Sequence, residues 1–130
     1  MIFEMKLVLV YALSIVFMLI IQSTLATRQH GLRSLVGNRE NLNLTGIAGR
    51  SDRAVKNSLI ALIFVLPPVL ALVLIEESAK GTILALQIFL CARILYFIAY
   101  VFSITWVRSC IWWTGMFCIF YLYAIALRSA

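Results

Sequence analysis

Charge is scarce in this chain, and acidic charge scarcer still. Only 12% of the 130 residues are charged, with eleven Lys and Arg against five Asp and Glu. A soluble domain carries about twice that charged fraction, so a water-soluble fold is excluded. Histidine is nearly absent: His30 stands alone, in what the pattern places as a loop. The three cysteines, Cys91, Cys110 and Cys118, all fall in apolar stretches. No CxxC or His-Cys spacing occurs, which removes metal and thiol-redox chemistry. No acid falls in the middle of an apolar run, because Glu4 opens the first stretch and Glu76 and Glu77 close the second. That excludes a proton-coupled four-helix exporter, which needs a membrane-embedded carboxylate. Internal repeats and low-complexity tracts are missing, and the apolar runs do not alternate as barrel strands would.

What remains is hydrocarbon. Hydrophobic residues make up 64% of the chain, in four stretches each long enough to cross a bilayer. They lie at about Phe3–Ala26, Asn57–Ile75, Thr82–Phe102 and Val107–Leu127. The pattern predicts an all-α integral membrane protein: one four-helix bundle over 1–130, antiparallel and up-down. Its helices are expected at about 3–26, 53–75, 82–102 and 107–127, with one long loop over 27–52. The first stretch reads as a span and not a cleaved signal: its apolar core is too long and no A-x-A site follows.

The net charge of +6 does not indicate nucleic acid, because of where it sits. Arg28, Arg33, Arg39, Arg50, Arg53 and Lys56 belong to the first loop or its edges, and Arg108 begins the fourth helix. Under the positive-inside rule the first loop is cytoplasmic and both termini lie on the opposite side. Ser51 or Asp52 is expected to cap the second helix. Pro67 and Pro68 are expected to interrupt that helix in mid-membrane with a kink. Residues 76–81 and 103–105 are expected to form tight turns, with Trp106 as an interfacial anchor. Ala54, Ser58 and Ala61 would permit close helix contacts.

Arg93 is the residue that composition does not explain. It lies about 13 Å inside the third stretch at about 1.5 Å rise per residue, where a guanidinium persists only facing a bundle interior, a watery cavity or an anion. Tyr96 and Tyr100 follow at i+3 and i+7, on the same helix face. The same end of the bundle gathers Arg53, Lys56 and Asn57 from the second helix, Arg108 and Ser109 from the fourth, and Arg28 from the first. Helix N-termini at the second and fourth helices add partial positive charge. Cations and hydrogen-bond donors on four helices, with no carboxylate in the membrane half of the set, suit an anionic ligand beside a lipophilic one.

Two segments carry a resemblance. Asp52-Arg53-Ala54-Val55-Lys56-Asn57 resembles the R-A-x-x-N signature of the MAPEG family, the membrane-associated proteins of eicosanoid and glutathione metabolism. Ala92-Arg93-Ile94-Leu95-Tyr96-Phe97-Ile98-Ala99-Tyr100, followed by Trp106-Val107-Arg108-Ser109, is similar to the family's third and fourth helices, closest to the bacterial branch. The resemblance covers nearly the whole chain. It implies a homotrimer in a bacterial inner membrane, with glutathione held between neighbouring subunits near the cytoplasmic face. It also implies a transferase or peroxidase acting on lipophilic electrophiles or hydroperoxides. Arg108 and Ser109 would stabilise the thiolate; Arg28, Arg53, Lys56, Asn57, Arg93, Tyr96 and Tyr100 would bind the tripeptide. One departure stands out: Ile60 occupies the position where the family usually places a glutamate for the glutathione amino group. That departure motivates an alternative, a non-catalytic member binding an anionic lipid or another thiol.

Overall fold

A computed structural model of the chain describes residues 3–31, 45–76 and 79–129. Four helices account for nearly all of them: α1 (Phe3–His30), α2 (Gly46–Leu74), α3 (Lys80–Val101) and α4 (Thr105–Ser129). Each is long and apolar enough to cross a membrane. That form is required, because lipid offers backbone N–H and C=O groups no partner outside the helix itself.

Helix α1 packs mainly on α2, and α4 mainly on α3. The α2 and α3 helices touch all the others, whereas α1 and α4 do not meet. The buried stripes follow helical spacing: Val8, Tyr11, Ile15 and Met18 on α1; Ala54, Ser58, Ala61, Val65 and Val69 on α2; Leu86, Phe89, Arg93 and Tyr96 on α3; Gly115, Ile119, Leu122 and Ala126 on α4. The outer faces stay apolar, with Leu13, Phe17, Ile63, Phe117 and Phe120 all more than half exposed, as suits contact with hydrocarbon chains. Ala54 and Ser58 expose nothing and Ala61 almost nothing, so the small-residue stripe is used inside this subunit.

Several sequence expectations need correction. Helix α1 runs to His30, so His30 ends a helix and is not in a loop. Ser51 and Asp52 do not cap α2. They lie inside it, because the helix begins at Gly46 with Thr45 extended before it. Ser51 is buried and donates from Oγ to the Ala48 carbonyl at 2.8 Å. Thr45 makes no side-chain cap but is held from outside: the Gln29 amide accepts from Thr45 N–H at 3.0 Å and donates to its carbonyl at 2.9 Å and its hydroxyl at 3.0 Å. Pro67 and Pro68 do not interrupt α2, which is continuous through both. Their missing N–H groups fall inside a helix held by neighbours on three sides. The loop residues Arg33, Gly37, Asn38, Arg39, Asn41 and Asn43, with Glu77 and Ser78 of the expected hairpin, lie outside the described residues.

The turn between α3 and α4 appears where expected. Ser103 takes a left-handed φ of 62°. Its N–H bonds the Tyr100 carbonyl at 3.1 Å while Ile104 N–H reaches Ala99 at 2.9 Å, a pairing that satisfies the last carbonyls of α3. The turn therefore delivers Arg108 back alongside Tyr100.

Candidate anion site at the basic end of the bundle

Arg93 has no exposure at all. It points into the bundle and not into lipid, as its cost in hydrocarbon requires. Its Nη2 donates to Asn57 Oδ1 at 2.7 Å, and its Cζ lies 4.4 Å from the Tyr96 ring centroid. Among the described residues, Nε and Nη1 find no hydrogen-bond acceptor. Nearby, the Tyr11 hydroxyl donates to the Ser58 carbonyl at 2.8 Å and its ring meets Phe89 edge-on, centroids 5.2 Å apart. Ser58 Oγ is likewise buried without a partner among the described residues. Neutral groups thus meet a full positive charge: an amide oxygen and aromatic rings, with no carboxylate among the described residues.

The cationic chain continues outward along α3. Tyr96 and Tyr100 stand 5.7 Å apart, ring to ring. Tyr100 is contacted by two arginines from different helices. Arg53 donates from Nε to its hydroxyl at 3.3 Å, and the Arg108 guanidinium lies 4.6 Å from its ring centroid. Such cation–ring contacts hold a guanidinium without neutralising it. Helical spacing explains the convergence: Arg53 and Asn57 are one turn apart on the α2 face turned toward α3, as Tyr96 and Tyr100 are on α3.

Beside these groups lies a cleft of about 250 Å³, lined by Tyr96, Arg108, Ser109, Trp112 and Trp113. One wall is cationic and the other aromatic. Ser109 donates to the Thr105 carbonyl at 3.2 Å, a long bond from which the hydroxyl can rotate. Arg93 does not line the cleft; the Tyr96 ring, which does, is also the ring against which Arg93 packs.

The remaining expected residues are placed differently. Lys56 turns outward and pairs with Asp52 at 3.0 Å, its side chain 70% exposed. Arg28 lines a separate groove on α1 with Leu19, Ile20, Ser23, Thr24 and Thr27 and does not join the cluster within this subunit. Sequence reasoning missed three participants. Arg50 donates from Nε to the Val101 carbonyl at 2.9 Å, tying the start of α2 to the end of α3. Trp112 and Trp113 complete the cleft, and their signal was available: each lies one turn after Arg108 or Ser109.

The family model for the MAPEG family matches residues 7–128, nearly the whole chain and all four helices. The chain belongs to the MAPEG family. No curated protein and no solved structure matches it. MAPEG membership fits an integral membrane protein, and the family includes glutathione transferases and peroxidases as well as non-catalytic members. In this MAPEG chain the position usually held by a glutamate, Ile60, is about half exposed on the outer face of α2.

Proposed function

We propose that this protein is a glutathione-dependent transferase or peroxidase that acts on lipophilic electrophiles or hydroperoxides at the cytoplasmic face of a bacterial inner membrane. The observation carrying this reading is Arg108: a guanidinium set against the Tyr100 ring, with no carboxylate beside it among the described residues, at the edge of a cleft walled by two tryptophans.

The chemistry needs a thiolate, since the neutral thiol is a poor nucleophile. A guanidinium beside the sulfur favours the ionised form, and each unit of pKa lowering corresponds to about 1.4 kcal/mol. Arg108 would hold the sulfur, assisted by the Ser109 hydroxyl once it rotates from Thr105. Arg53 would take a carboxylate, with Lys56 at the outer edge. Tyr100 and Asn57 would supply neutral hydrogen bonds, and Arg93 would contribute the positive field behind Tyr96. Attack on an electrophilic carbon forms the C–S bond as its leaving group departs with the electron pair. Attack on a hydroperoxide oxygen breaks the O–O bond and releases the alcohol after protonation; a second thiol then completes the disulfide. Trp112 and Trp113 present the apolar surface along which such a substrate would enter from the bilayer.

A homotrimer accounts for Arg28. Remote from the cluster in its own subunit, it would reach the ligand held between neighbouring copies.

The deciding experiment is Arg108→Ala in purified protein. Thiolate absorbance on adding glutathione should vanish, and conjugation of a model aryl halide should fall about 10²–10³-fold, the loss typical of removing one preorganised charge-stabilising group. Unchanged values of both would refute the assignment. A second reading, a non-catalytic member holding an anionic lipid or another thiol, is favoured by Ile60. Retained calorimetric binding of anionic lipid with no heat from glutathione would select it.

A further inference from the structure

The proposed thiol site carries an imbalance that bears on which thiol it selects. Among the described residues at the basic end, Arg50, Arg53, Arg93 and Arg108 are each held by a neutral group: the Val101 carbonyl, the Tyr100 hydroxyl, the Asn57 amide and the Tyr100 ring. The one described carboxylate there, Asp52, is engaged by Lys56 at 3.0 Å. One turn deeper than Asn57, α2 offers only the hydrocarbon of Ile60. Nothing described at this end is built to receive an ammonium, and several guanidiniums are placed to repel one.

Building on the thiol-binding function proposed above, we infer that the site does not recognise the amino group of its thiol ligand and selects for net negative charge, so that an ammonium-free thiol carrying two carboxylates binds at least as well as glutathione. With its thiol protonated, glutathione has two carboxylates and one ammonium, for a net charge of −1. Replacing the ammonium of the γ-glutamyl unit by hydrogen gives glutaryl-cysteinyl-glycine, which keeps both carboxylates and has a net charge of −2.

 The glutaryl analogue thus differs from glutathione by the loss of one ammonium, and by no other charged group.

The test is calorimetric titration of the full chain in lipid nanodiscs with each of the two thiols, at low and at high salt. The glutaryl analogue is expected to bind three- to tenfold more tightly than glutathione at low salt. The two should converge as salt rises, because screening weakens the extra attraction of the second net charge. If glutathione binds more tightly than the analogue, the ammonium is recognised and the inference falls while the thiol-binding function stands. Asp52→Asn then tests the source of that recognition: a lost preference would show that Asp52 leaves Lys56 to take the ammonium. If neither thiol binds, both the inference and the function proposed above fail together.

Discussion

The two ends of this bundle bury polar charge-bearing groups in opposite ways. At the far end Glu4 is fully buried, and Thr82 Oγ1 lies 2.9 Å from its Oε1 while also accepting from the Ala79 N–H at 3.1 Å. There the acid from α1 is tied to the first turn of α3, and Gly81 brings the backbone against the Tyr121 side chain. At the basic end Arg93 is equally buried, and among the described residues it meets an amide oxygen and an aromatic face. The first arrangement joins helices. Among the described residues, the second gives a buried positive charge neutral partners and no carboxylate, an arrangement that is costly for a buried ion.

The largest expected effect comes from making the basic end resemble the far one. Asn57→Asp places a carboxylate opposite Arg93 and supplies the missing counterion from within. Binding of thiol ligand should weaken ten- to a hundredfold, or about 1.4–2.7 kcal/mol, with thermal stability retained; undiminished affinity in a titration would separate Arg93 from the site. The reverse intervention perturbs the far end alone. A Cβ at Gly81 would overlap the hydroxyl of Tyr121, a partly exposed ring that can swing aside, so Gly81→Ala should lower stability by less than about 1 kcal/mol, below the usual cost of overpacking a core. Tyr121→Phe should recover part of that loss, and glutathione affinity should stay the same throughout. The smallest effect belongs to Lys56→Gln. That side chain is mostly exposed and its pairing with Asp52 is an i,i+4 surface contact, worth at most about 0.5 kcal/mol. A melting-temperature change beyond that expectation would mean Lys56 carries more than its surroundings suggest.

The four spans were legible because hydrocarbon length is a one-dimensional property. The face shared by Arg93, Tyr96 and Tyr100 was legible because helical spacing alone sets it. The start of α2 was not. Ser51 and Asp52 look like caps by residue type, but packing of Ala48, Gly49 and Ser51 against the bundle and the reach of Arg50 to Val101 extend the helix beyond them. Local capping preference is a matter of about 1 kcal/mol, which tertiary contacts override. Arg28 and Lys56 show a second limit. Residue type and membrane level put them with the cluster, but the direction in which each side chain leaves its helix depends on how the helices are rotated against one another, and the pairing Asp52–Lys56 turns one of them outward.

Gln29 behaves toward Thr45 as a neighbouring strand would, meeting both its N–H and its carbonyl. That side chain fastens the exit of α1 to the entrance of α2, so the spacing between the two helices is fixed before the intervening segment is traversed.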